Sequence, residues 1–481
     1  MKRSNPFNIN FYSSRLLCFA AMMIVLACST GCKKYLTIPL PVDRLSGSDA
    51  YASDQTTSGV LNNIYYDLEI DGRLSGAGGL GYNGGLYTDE LQTLNSASAA
   101  AKTYYGNVIT GDVGGLLWGN LYLDIQTANT TIEAMRSSSL PYKNQWLGEA
   151  LFLRGLMFTY LVSCYGDIAM PLTSDYTVNG ALSRVPKADV YKQIIADLKQ
   201  AQGLLGTNYV DFNGNTATDR SRPNKAAATA LLARVYLYTG DWSNAEIQAS
   251  SVIGNTSYAI EAPANVFRTT SKETIWSLLP TQGLGFVVKD AAAYQIAPGV
   301  APGSSSVGVV LSPLLLSSFE LNDARYTSWV GSSTSGTPAT TYYFANKYKV
   351  KTATASSEAL SVLRLSEQYL IRAEARAQQN NLAGATGDIN VVRTRAGLPG
   401  TTAASQTEIL NAVLQERRIE FFSEMGHRFF DLKRTGKIND VMGVVSPQKG
   451  SNWAAYMQYW PIPTSETLRN PNMKQTPGYQ Q

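Results

Sequence analysis

Residues Leu414–Lys437 read LQERRIEFFSEMGHRFFDLKRTGK. Carboxylates and arginines surround paired aromatics, and the only histidine of the chain, His427, lies among them. Such a cluster fits either a catalytic site or a scaffold that neutralises its own charge. Glu416, Glu420 and Glu424 are spaced by four, which puts them on one helix face, where like charges repel unless cations intervene. Arg417 stands three residues before Glu420, Arg428 four after Glu424, and Asp431 three after Arg428, so local i,i+3 and i,i+4 pairs are expected. The pattern therefore reads as a structural network of Glu416, Arg417, Glu420, His427, Arg428 and Asp431. His427 follows Gly426 at an expected helix break and reads as a hydrogen-bonded joint residue rather than a base.

Little else in the chain offers chemistry. One histidine excludes His-clustered zinc and weakens Ser-His-Asp and Cys-His arrangements. There is no Walker loop and no HExxH, and no cofactor or metal is expected. GLGYNGG (Gly79–Gly85) lacks a preceding buried strand and reads as a loop. Asp211, Asn213 and Asn215 place oxygen ligands at alternate positions, as a calcium loop does, but no closing Glu follows at the twelfth position. A glycoside hydrolase needs only two carboxylates about 5–10 Å apart, so Glu416 and Glu420 would carry that alternative.

Composition narrows the class further. With 481 residues the chain exceeds one ordinary core. Hydrophobic residues make up 44% and charged ones 16%, so uncharged polar residues and tyrosine must supply much of the surface. Tyrosines number 28 against 14 phenylalanines, which suits a surface that stacks on polar ligands. Lys2, Arg3 and Arg15 lie in residues 1–31, which hold no acid; without that segment 37 basic residues face 36 acidic ones. No basic footprint for nucleic acid is left.

The basic start, the apolar run Leu16–Ala27 and the following CSTGCKKYL read as an export signal, too short to span a bilayer. The small residues before Cys32 point to a lipoprotein signal over 1–31, with Cys32 as the acylated anchor and Cys28 as the alternative. Residues 32–50, with prolines at 39 and 41, read as an extended tether. Cys164 then stays unpaired and reads as a small buried hydrophobe.

Helical patterns follow at Ser53–Asp67, Leu121–Met135 and Glu149–Cys164, the last apolar all round and so expected to be buried. Lys225–Ile253 has the small-residue spacing of a tetratricopeptide repeat with a Gly-Asp turn, and Leu363–Arg393 is a weaker copy. Long insertions separate the two, so no continuous array is expected. Gly72–Gly119, Pro280–Ser312 and Val330–Tyr343 read as polar loops, where binding tends to reside. A short strand is expected over Tyr342–Val350.

The closing segment resembles the signature of the SusD/RagB family of outer-membrane lipoproteins. So do RLSEQYLIRAEA (Arg364–Ala375), INVVRTRAGLP (Ile389–Pro399), WPIPTSETLRNPNMKQTPGYQ (Trp460–Gln480), GEALFLRGLMFTYLVSCYGDIAMPL (Gly148–Leu172) and the CKKYL start. The resemblance runs in order over nearly the whole chain after the signal. It implies a mainly α fold, a tetratricopeptide-like scaffold with long loop-rich insertions and a few short strands, divided as 51–260 and 261–481. It also implies a non-enzymatic, lipid-anchored receptor at the cell surface. Such a receptor binds an oligosaccharide or other nutrient, a peptide in some relatives, and delivers it to a SusC-like TonB-dependent transporter. A pure docking protein is the remaining alternative. The family's ligand residues follow no motif; aromatics in the insertions are therefore the expected ligand contacts, namely Tyr82, Tyr104, Tyr294 and Trp453, with Asp71, Arg73 and Asn83 as polar neighbours.

Overall fold

Helix caps written into the sequence set the architecture. Ser53 opens the helix Asp54–Glu69 with a capping box: its hydroxyl accepts the Thr56 N–H at 3.1 Å while the Thr56 side chain reaches back. The helix Lys225–Thr239 ends at Gly240, whose φ of +76° is the left-handed conformation that glycine adopts without strain. Asp241 then caps Trp242–Ile253 by accepting the Asn244 N–H. The weaker copy repeats the device: Leu365–Gln378 and Leu382–Arg395 are joined at Asn381, which accepts the Gly384 N–H. Ala233, Ala245, Ala249, Ala373 and Ala385 are fully buried, so small side chains do let these helices approach closely.

The computed structural model describes residues 49–70, 72–302 and 307–480. The signal segment 1–31, the anchor Cys32 with its alternative Cys28, the tether as far as residue 48, and Asp71 lie outside the described residues.

Helices dominate, and they stack. Gly111–Arg136 packs on Lys143–Tyr165, which packs on Lys187–Leu204, which packs on Lys225–Thr239. Trp242–Ile253 packs in turn on Leu365–Gln378, and Gln406–Glu420 closes against Leu365–Gln378 and Leu382–Arg395. The repeats are thus interrupted in sequence but contiguous in space, because residues 254–364 leave the stack and return to it. Regions 51–260 and 261–481 accordingly share one compact unit, Tyr51–Gln481. The described strands form four antiparallel pairs: Leu91–Thr93 with Val309–Leu311, Tyr209–Val210 with Thr216–Ala217, Thr274–Leu278 with Leu360–Arg364, and Val330–Ser335 with Thr340–Ala345.

Lys143–Tyr165 is long and apolar enough to cross a membrane, but every residue from Trp146 to Tyr165 is buried in the core. Its two buried charges are matched. Arg154 grips Asp197 with two hydrogen bonds of 2.8 and 2.7 Å, and Glu149 accepts from Arg222 at 2.6 Å. Cys164 lies fully buried on this helix, and burial pushes its thiol up to about 12, which leaves it inert.

Several segments expected as loops are ordered. GLGYNGG forms most of the helix Leu80–Tyr87, all of it buried. Two of its glycines face the turn after Glu420: a Cβ on Gly81 would lie 2.4 Å from the Ser423 carbonyl oxygen, and one on Gly84 3.0 Å from the Gly426 Cα. The glycines serve close backbone packing, a role that composition alone does not separate from loop flexibility. The strand Leu91–Thr93, the helix Ala99–Tyr105 and the start of Gly111–Arg136 also lie within Gly72–Gly119. Val330–Tyr343 is largely a hairpin, paired from Val330↔Ala345 to Ser335↔Thr340. At Asp211 one carboxylate oxygen accepts the N–H groups of Asn213 and Asn215, so it closes the turn of a hairpin.

Candidate functional site

The opening segment is a buried ion-pair network, and its partners differ from the local ones expected. Glu420 is fully buried and shared by Arg364 at 2.8 Å, Arg325 at 3.3 Å and Arg395. Glu416 is held by Arg325 at 2.9 Å and by Arg393. Glu424 pairs with Lys347 and with Arg364 at 3.0 Å. Arg417 turns away from Glu420 to Asp431 at 2.8 Å, and Arg428 makes a two-pronged contact with Asp89, 2.9 Å on each arm. Arg434 with Asp431 is the i,i+3 pair that does form here. The reason is burial. On a dry face the charges must be fully matched, and long-range guanidinium groups match several carboxylate oxygens at once, which a neighbour on the same helix cannot do.

This environment opposes catalysis by these residues. Burial alone would raise the Glu420 carboxyl, but Arg395, Arg364 and Arg325 overcome it and hold the group far below the usual carboxylate range. A glycosidic general acid needs the opposite shift and contact with substrate. Burial, together with Arg234 and Arg417, holds the His427 imidazole well below its ordinary value, so it stays neutral while stacked 4.7 Å from the Phe421 ring.

The aromatics expected in ligand loops sit elsewhere. Tyr82, Tyr104 and Tyr294 all lie on helices and are 7%, 3% and 3% exposed. Tyr82 and Tyr294 do meet, at 5.9 Å between ring centres, but they pack against each other. Tyr104 packs 5.2 Å from Trp460. A ring that stacks on a sugar must present a face, and the faces of these three are occupied. Trp453 is half-buried, with its indole N–H donated to Asn439 at 2.9 Å and its edge against Tyr87. Arg73 and Asn83 work inside the loop itself: Arg73 donates to the Asp67 carbonyl at 2.9 Å and Asn83 to the Gly78 carbonyl at 2.6 Å.

These contacts nevertheless build a rigid platform. Asp290 accepts the Gly76 N–H at 2.6 Å and the Ser75 hydroxyl at 3.2 Å, tying the segment after Glu69 to the helix Lys289–Tyr294. The last turns of Asp54–Glu69 expose Tyr66, at 36%. Asn63, one turn before Tyr66, is exposed and donates to Asp67 at 2.9 Å, while the Asp67 carboxylate also pairs with Arg73 at 3.3 Å. The exposed Thr281–Gly283 stretch borders the ring; a Cβ on Gly283 would sit 3.4 Å from Tyr66 Cε2. A flat aromatic beside an exposed amide and a polar turn offers a ring for a sugar to stack on and partners for its hydroxyls. One sequence signal for Tyr66 was available in NIYYD. Consecutive helical residues point about 100° apart, and Tyr65 faces inward, donating its hydroxyl to Glu149 at 2.6 Å, so Tyr66 faces out.

Comparison with known proteins bears on both halves of this unit. Residues 316–479 match the family described as "SusD family", and residues 61–237 match "Starch-binding associating with outer membrane". The SusD-like protein P2 of Formosa agariphila is 26% identical over 443 residues, covering 80% of this chain and 85% of that protein. The chain belongs to the SusD/RagB family. The Starch-binding protein SusD of Bacteroides thetaiotaomicron is 36% identical over a shorter stretch, 28% of this chain and 24% of that protein. Among solved structures, the Surface glycan-binding protein A from Bacteroides uniformis superposes with a TM-score of 0.74 at 20% identity, covering 88% of this chain and 99% of that one. A SusD superfamily protein from Bacteroides vulgatus gives 0.74 at 21% identity, covering 89% and 100%. The fold is therefore the mainly α SusD-like fold. Residues 238–315, which carry the Thr281–Gly283 stretch and Tyr294, lie between the two family matches, whereas Tyr66 lies within the 61–237 match.

Proposed function

We propose that this chain is a glycan receptor associated with the outer membrane, which holds its ligand without cleaving it and passes it to a SusC-like TonB-dependent transporter. The observation that carries the reading is the pairing of an exposed Tyr66 ring on the helix Asp54–Glu69 with carboxylates that are locked in buried ion pairs. The names of the relatives support the ligand class: one is a starch-binding protein and another a surface glycan-binding protein. The description "associating with outer membrane" and the lipoprotein signal ending at Cys32 support the location. Protein lacking residues 1–32 is expected to bind a member of a glycan array and to leave it chemically unchanged after prolonged incubation. Appearance of shortened products would overturn the receptor reading in favour of a hydrolase. Binding to no glycan, with copurification of a barrel protein, would leave a docking protein instead.

A further inference from the structure

A second cleft lies away from Tyr66, where the helices Lys143–Tyr165, Lys187–Leu204, Lys225–Thr239 and His427–Arg434 come together. It holds about 340 Å³ and has aromatic walls in Tyr191, Tyr238 and Tyr459. Tyr459 is seated by Gly166: a Cβ there would lie 3.1 Å from the ring, and the φ of +76° also calls for glycine.

Two amines flank Tyr459. Lys433 Nζ lies 4.3 Å from the ring centre and donates to the Ser163 carbonyl; Lys187 Nζ lies 3.3 Å from the Tyr459 hydroxyl. Among the described residues neither amine has a carboxylate within ion-pair distance, whereas the neighbouring Arg434 has both Glu374 and Asp431. Asp167 accepts the backbone N–H of Lys187. Burial, with Lys187 adding to it, pushes the Lys433 amine down to about 7. An ammonium held in aromatic surroundings without a counter-ion is an incomplete arrangement, and an anion placed there would restore the charged form.

We propose that this cleft binds an anionic saccharide unit, bearing a carboxylate or a sulfate, with the sugar ring against the tyrosines and the anion between Lys187 and Lys433. The proposal rests on the glycan-receptor reading and gives it a ligand class at a second place. The competing role for Lys433 is purely structural, that of capping the end of Lys143–Tyr165 at the Ser163 carbonyl.

The test is calorimetric titration of the intact, detergent-solubilised chain with three probes: trigalacturonate, its fully methyl-esterified neutral form, and a sulfated galactobiose. A charged hydrogen bond predicts about tenfold tighter binding of at least one anionic probe than of the neutral ester. Lys187→Met, at an exposed position, and Lys433→Met are each expected to erase that preference. Equal affinity for acid, sulfate and ester overturns the proposal. So does an anion preference that survives Lys187→Met, and so does an effect of Lys433→Met on thermal stability alone. If a neutral glycan binds and no anion is preferred, only this proposal falls. If no glycan of either charge binds, the receptor reading falls with it.

Discussion

At Glu420 three guanidinium groups converge on one carboxylate with no water-facing side. Removing one member of such a set leaves the others uncompensated, which typically costs about 3–5 kcal/mol. Glu420→Gln is therefore expected to lower thermal stability markedly. Because the native carboxyl is depressed, its contribution is present above the unfolded value near 4.5 and is lost as pH falls. The gap in melting temperature between the wild type and this variant should accordingly narrow below about pH 4. An unchanged melting temperature with lost turnover would revive the hydrolase. Glu90 behaves oppositely. Burial first, and then Asp89, raise its carboxyl to about 8, so the folded protein keeps a proton that the unfolded chain releases near 4.5. Stability then falls as pH rises between those values, by ~1.4 kcal/mol per unit from this one group. Glu90→Gln removes the penalty and can still accept the Ser423 N–H, so it should be nearly neutral at pH 5 and stabilising at pH 9 in parallel melts. Equal melting temperatures at both values would refute that assignment. Neither shift is legible in the sequence, since the arginines around Glu420 come from distant segments and the burial that dominates at Glu90 is set by the whole fold.

Among the elements, the Gly-Asp turn and the small-residue spacings were legible because each is local. The Gly240-Asp241 turn and the alanines of Lys225–Ile253 act within a few residues of where they stand. The glycine-rich helix Leu80–Tyr87 was misread because its reason lies across the fold, at Ser423–Gly426. That contact makes a sharp contrast between two glycines. Gly81→Ala drives a methyl into a backbone carbonyl that cannot rotate away and should destabilise by about 1–3 kcal/mol. Gly59, exposed in the middle of Asp54–Glu69, has nothing within 4 Å of the place a Cβ would take, and Gly59→Ala should stabilise by about 0.5–1 kcal/mol through helix propensity. Chemical denaturation of the two variants reads both; a stable Gly81→Ala protein would mean that the helix does not pack on that turn.

In the molecule as a whole, scaffold and ligand face obey different rules. The stack depends on burial and pairing, which leave periodic and compositional traces, and the family signature follows those traces. A ligand face depends on which way a few rings point. In Asp54–Glu69 the two adjacent tyrosines divide the roles: Tyr65 enters the core and donates to Glu149, while Tyr66 faces outward beside Thr281–Gly283. Tyr66 is carried on a helix, so stacking there costs little ordering of the backbone. Tyr66→Ala should then weaken binding of the identified glycan by about tenfold, the scale of one aromatic contact, with a melting temperature within about 1 °C of the wild type because the ring is not part of the core. Tyr82→Ala is the informative counterpart, since its ring is packed against Tyr294 and its loss should lower stability first. Titration and melting of both variants separate the two roles: full affinity in Tyr66→Ala, with affinity lost in a fully folded Tyr82→Ala, would move the ligand from the exposed face to the buried pair.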